Sequence, residues 1–358
     1  MFKRIQVTAR TLCALGALVT ASASLAADGT LPPPVGLEGI VDPSARWESI
    51  YEVECFTEGI AQGADGTVYF TDNTSTHDCN ANGIQEGVIF AFDPTKKETR
   101  LFRSPSGQAN GLAMTPDGDL IVAQGADLGG RRVSKIDIKT GRSYILANKF
   151  QGRRLNSPND VTVGPDGLVY FTDSRYAGEE SVEQPIQGVY RIEKDGAVTL
   201  VVADSAKPNG LAFSPDGKIL YVGAADDNGS TDYTRSASDQ PHHVGLMAIL
   251  AYPAKGDGTF GPRKVLVDFA GVDTMGPDGL NVDTNGNIYA AMYGGKEPSI
   301  TVFSPNGNEL GRFPTGDLFV TNSLFTSSQY DGNLLYMSAG KHIFRIPVLA
   351  TGTPASQR

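Results

Sequence analysis

Asn159-Asp-Val-Thr-Val-Gly-Pro-Asp166-Gly167-Leu-Val-Tyr-Phe171 is the stretch from which the fold can be read. Its Asp-Gly pair tolerates positive φ and makes a tight hairpin turn, and the apolar alternation on either side reads as two strands. The pattern recurs along the chain. Residues 58–70 turn at Asp65-Gly66, 110–118 at Asp117-Gly118, 209–221 at Asp216-Gly217, and 278–289 at Asn285-Gly286. A looser sixth copy joins Asn322-Ser-Leu-Phe-Thr to a turn at Asp331-Gly332. Successive turns lie 52, 49, 50, 69 and 46 residues apart. Further strand-like runs, such as 133–138 and 143–146, bring each unit to about four short strands. No stretch carries convincing helical periodicity. Repeats of this length, all β and rich in Gly and Pro, predict a six-bladed β-propeller with four antiparallel strands per blade.

The chain ends bear on closure. After Asn322 only three strands fit, over 323–326, 334–338 and 343–348. Residues 46–53, upstream of the first repeat, have strand character. They are expected to supply the missing outer strand and close the ring, which removes the free edges a lone blade would expose. The interval of 69 residues contains a polar, turn-rich insertion around 224–245, a loop of undetermined role in the fourth blade. Two more long loops span 74–86 and 174–187.

Residues 1–26 read as a secretory signal: Lys3, Arg4 and Arg10, then a short apolar run, then small residues ending in Ala26. That leaves 27–358 as one propeller domain, exported to the periplasm or secreted, with no membrane partner after cleavage. The apolar run is too short to span a bilayer. Net charge is −10 and becomes −13 once the three basic residues are removed. So acidic a chain argues against nucleic acid and anionic membranes as partners. Outside the signal there are two cysteines, Cys55 and Cys79. An oxidising compartment favours a disulfide between them, with a pair of free buried thiols as the alternative. There is no CxxC motif and no Cys/His cluster, which argues against structural zinc.

Counting back from the turns locates a candidate site. Seven residues before the first residue of each turn stand Glu58, Asn110, Asn159, Asn209 and Asp278. In the sixth unit Asn322 stands nine before Asp331. All six positions carry a side-chain oxygen. In a propeller the first strand of each blade lines the channel, so these residues, just before that strand, should meet at one mouth. Two carboxylates and four amides form a ring of oxygen acceptors, a ligand set suited to a hard cation such as Ca²⁺ and not to Zn²⁺. An isolated Asn before a strand is more commonly a cap. Six oxygens in register, with Glu and Asp breaking the Asn pattern, favour the metal.

The run Gly152-Arg-Arg-Leu-Asn-Ser-Pro-Asn-Asp160 resembles the gluconolactonase family, which also includes the senescence-marker and luciferin-regenerating proteins. Residues 167–173, 207–217, 276–280 and 314–322 extend the resemblance over most of 58–347. It implies a six-bladed propeller whose metal ligands are Glu58, Asn159, Asn209 and Asp278. It also implies Arg154, Asn110 and Asn322 as substrate-facing residues. The family's acidic residue and His in the second unit's second strand are replaced here by Val122-Ala-Gln-Gly-Ala-Asp127, so fold and metal transfer better than substrate. The implied activity is metal-dependent opening of a sugar lactone or similar cyclic ester; Asp278, as a ligand whose second oxygen would face the cavity, is the expected general base. There is no GxSxG elbow, and His77, His242 and His243 fall in loops. Phosphotriester or other ester hydrolysis on the same scaffold, and a non-catalytic ligand-binding propeller, are the alternatives.

Overall fold

The computed structural model describes residues 31–74, 79, 86–178, 180–225, 246–326 and 332–353. The signal segment, His77, His242, His243, Asp331 and residues 226–245 of the fourth-blade insertion lie outside the described residues. Among the described residues there are no helices, and the strands form six four-stranded antiparallel sheets plus one two-stranded ribbon. Each sheet is one blade of a six-bladed propeller. Blade one, for example, runs Thr57–Gln62, Val68–Asp72, Val88–Asp93, Glu98–Arg103, each strand pairing with the next. The glycines of the repeated turns, Gly66, Gly118, Gly167, Gly217, Gly286 and Gly332, all have positive φ. This is why Asp-Gly and Asn-Gly mark the repeat.

The innermost strands are Thr57–Gln62, Ala109–Met114, Pro158–Val163, Pro208–Phe213, Pro277–Val282 and Val320–Phe325. Each packs on the innermost strand of the next blade, and the sixth returns to the first. The core follows from this arrangement. Six apolar clusters of buried residues occupy the six wedges between neighbouring blades. The second strand of each blade therefore faces a neighbour on both sides, and runs such as Leu120–Gln124 and Ile288–Met292 are buried throughout, while outer strands such as Glu98–Arg103 stay largely exposed.

The sixth blade closes as the sequence implies. Glu48–Glu52 pairs with His342–Pro347, giving the order Glu48–Glu52, His342–Pro347, Leu334–Ala339, Val320–Phe325. Residues from 31–41, with Trp47, pack into the wedge between blades five and six, where Trp47 meets Phe313 and Phe344 edge-on.

Cys55 and Cys79 come together with Cα atoms 5.4 Å apart, a span that a disulfide bridges. The bond would tie the loop after blade one's second strand to the chain entering its first. Peptide mapping of unreduced protein is expected to recover 55 and 79 in one linked fragment. Cys79→Ser should lower stability by about 3 kcal/mol, given the 24-residue separation. Free thiols in protein taken from its native compartment would refute the pairing.

Candidate active site

Five oxygen-bearing side chains reach one end of the channel by a shared backbone device. In each of the first five blades the innermost strand slips register against its neighbour. The slips fall between Thr57 and Ile60, Ala109 and Leu112, Pro158 and Val161, Pro208 and Leu211, and Pro277 and Leu280. The ring residue lies inside that irregularity every time. The sequence pattern puts it just before the strand, whereas the structure makes it the strand's second residue, where a bulge re-aims the side chain out of the pleat. Glu58, Asn110, Asn159, Asn209 and Asp278 consequently line a single cavity of about 390 Å³.

The next residue is glycine in four of these five blades. A Cβ at Gly59 would overlap the Asn110 carbonyl oxygen, at Gly111 the Asp160 backbone and carboxylate, at Gly210 the Asp278 carbonyl oxygen, and at Gly279 the Asn322 side chain. The blades can approach this closely only without a side chain there. Gly210→Ala is expected to push blade four off Asp278, costing about 2 kcal/mol of stability by thermal or denaturant unfolding. An unchanged unfolding midpoint would show that the ring has slack.

Asp160 is the fifth case, the one ring-following residue with a side chain. Its carboxylate accepts the amides of Val161 (2.9 Å) and Leu211 (3.2 Å) and stitches blade three to blade four.

Three carboxyl groups thus gather near the axis. Burial, then Asp160, pushes Glu58 up to about 8. Burial, then Glu58 and Asp160, raises Asp278 well above the ordinary carboxylate range, against a hydrogen bond from Asn209. Burial raises Asp160 to about 7 despite its two amide donors. No Lys, Arg or His is among the described residues lining the cavity. Asn159 and Asn209 bury their Oδ1 atoms with no hydrogen-bond partner. An orphaned buried oxygen costs about 1–3 kcal/mol, and clustered carboxylates without a counter-charge repel one another. A hard divalent cation in the mouth would answer both, so the donor set of Glu58, Asn159, Asn209 and Asp278 fits one.

Two expected site residues lie elsewhere. Arg154 is exposed, in the ribbon of Lys149–Phe150 with Arg153–Arg154, and its amide donates to Glu183 (2.9 Å). It is not among the cavity-lining residues; the four residues between Arg154 and Asn159 carry the chain from the ribbon to the axis. Asn322 is paired with Ser338, outside the bulge, and lines the narrow channel below the cavity. Its Oδ1 accepts the Ser323 amide (2.8 Å), as Asp160 does that of Val161. Sequence reasoning missed the walls: Tyr176, Tyr293, Met275 and Asp127, all from loops between strands or blades. The wall loops of blades two and three are fastened together. Glu180 accepts the amides of Asp127 (3.1 Å) and Leu128 (2.8 Å), and buried Arg175 donates to the carbonyls of Asn156 and Glu180 (2.7 Å each).

A family model described as the SMP-30/Gluconolactonase/LRE-like region matches residues 56–341. The chain belongs to this family. Among curated relatives, a gluconolactonase of Zymomonas mobilis is 32% identical over 259 residues, 68% of this chain and 64% of that protein. The lactonase drp35 of Staphylococcus epidermidis is 27% identical over 279 residues, 74% of this chain and 71% of that protein. The solved structure of a Xanthomonas campestris gluconolactonase superposes with a TM-score of 0.69 at 24% identity, covering 88% of this chain and 95% of that one. That last likeness bears on the fold.

Proposed function

We infer that the protein is a lactonase, opening a cyclic ester by hydrolysis at the mouth of the propeller with a divalent metal, Ca²⁺, held by Glu58, Asn159, Asn209 and Asp278. The observation that carries this is the meeting of two charge-repelling carboxyls and two unpartnered amide oxygens in one cavity. The named activities of the two curated relatives support the reaction class.

When bound, such a cation supplies Lewis-acid polarisation of an ester carbonyl and lowers the pKa of a nearby water. The chain's own groups do the rest. Asp278 faces the cavity, and Asn209, which hydrogen-bonds it, fixes its orientation. It is the carboxylate placed to take the proton of the attacking water. Asn110 presents an amide at the same rim for the substrate's ring substituents. Asp160, tied to two backbone amides, holds the ring strands in place and leaves proton transfer to Asp278.

A lactone panel assayed with chelator and then with Ca²⁺ add-back tests the proposal. Turnover should vanish with chelator and return with Ca²⁺. Failure of every lactone under both conditions would leave a binding propeller instead. The signal-like first 26 residues support export to the periplasm or secretion, which cell fractionation would check.

A further inference from the structure

The geometry points to a narrower substrate than lactones in general: an uncharged lactone carrying an apolar or aryl substituent, seated against the wall built by Tyr293, Met275 and Tyr176. This deepens the lactonase reading and rests on it. Beyond the ring of oxygens the cavity has an apolar face, with Ala126, Ala177 and Pro277 joining those three side chains, beside the polar Asn73, Gln108, Asp127 and Ser157. Tyr293 is part of a larger aromatic surface. Phe319 stacks on it at 4.9 Å and Phe56 meets it edge-on at 6.3 Å. Gly294 fits between the Met275 sulfur and the Phe319 ring, so the three side chains form one continuous face. Phe319 remains 36% exposed and carries that face outward from the cavity. Tyr176 stands on blade three, with blade four between it and Tyr293.

The polar inventory points the same way. Gln108 is engaged with Thr74 Oγ1 (3.1 Å) and the Asp127 carbonyl (3.4 Å), and Ser157 Oγ accepts the Ala126 amide (2.9 Å). A polyhydroxylated ring would turn several hydroxyls toward apolar side chains, and a site rejects groups it cannot hydrogen-bond. The Asp, Glu, Lys, Arg or His residues among the described lining are the carboxyl residues Glu58, Asp127 and Asp278, so no cationic side chain joins them there. The nearby guanidinium groups are buried and spent on carbonyls: Arg131 on Leu155, Asn156 and Ser181, Arg175 on Asn156 and Glu180. Among the described lining residues a substrate carboxylate or phosphate would meet no counter-charge, and the buried Lys207 turns its ammonium to the Tyr176 ring, 5.4 Å from the centroid.

The test compares kcat/KM of the Ca²⁺-loaded full chain for δ-nonalactone, dihydrocoumarin, gluconolactone and phosphogluconolactone, in wild type and Tyr293→Ala. The alkyl and aryl lactones are expected to exceed gluconolactone by about tenfold or more, with phosphogluconolactone poorest. Tyr293→Ala should cut the apolar-to-sugar ratio by about tenfold, a ratio that general loss of folded enzyme does not move. Preference for gluconolactone, or a ratio unchanged in the variant, would overturn this inference while leaving the lactonase reading intact. No turnover of any of the four would overturn both.

Discussion

Asp278→Ala is expected to lower kcat on any lactone the protein hydrolyses by about 10³-fold, within the range that removal of a positioned acid–base group produces. The variant removes a proton acceptor and one of four proposed ligands together, so a second change separates the roles. Asp278→Asn keeps an oxygen on the metal side and the side-chain volume, but removes the basic carboxylate. It should bind Ca²⁺ more weakly by calorimetry and, when saturated, still turn over about 10³-fold more slowly. Full recovery of kcat at saturating Ca²⁺ would move the base elsewhere. Stability moves the other way. Asp278 is held well above its ordinary range by burial and by Glu58 and Asp160. Removing it from the metal-free protein relieves a buried repulsion, so metal-free Asp278→Ala should melt at or above the wild-type temperature. A site that costs stability in its empty state is what a ligand-binding centre looks like.

The repeat makes most of this architecture readable without coordinates. Asp-Gly and Asn-Gly turns report positive φ directly, and six of them, spaced 46 to 52 residues apart except across the fourth-blade insertion, leave one closed arrangement. The strand deficit after Asn322 then requires a strand from the N-terminus, and Glu48–Glu52 supplies it. Ring residues are readable because a bulge at a fixed place in each blade sits at a fixed count from the turn. That logic weakens where the count changes. In the sixth unit Asn322 stands nine residues before Asp331, and there the bulge falls between Val320 and Asn322, so Thr321 holds the strand's second place and Asn322, one residue on, lines the channel. Arg154 rests on resemblance to a linear motif, and in the ribbon at 149–154 it is solvent-exposed and outside the described cavity lining. Tyr176 and Tyr293 follow the second strands of blades three and five, in loops whose length and composition vary without period. Their meeting in one cavity depends on blade geometry, which no local pattern encodes.

Proton–metal competition at the mouth should appear as a crossing dependence of stability on pH. In the metal-free protein Glu58 has a pKa of about 8 against 4.5 for the free side chain. Between those values the folded state holds a proton that the unfolded state releases, so stability falls as pH rises. For Glu58 alone the shift corresponds to at most ~5 kcal/mol lost across that window. Asp278 and Asp160 are displaced in the same direction. Bound Ca²⁺ requires the ionised carboxylates, so its stabilising increment should be small near about pH 5 and largest near about pH 8. Asp173 adds a background that metal does not touch. Burial raises it to about 6 even though it accepts the Asn156 and Ser157 amides. It tilts both curves alike and cancels in their difference. Melting temperatures over this range, with chelator and with excess Ca²⁺, give that difference directly. Glu58→Gln should flatten the metal-free curve and remove most of the Ca²⁺ increment. A Ca²⁺ increment independent of pH would mean that the carboxyls of Glu58 and Asp278 are not the groups that hold the cation.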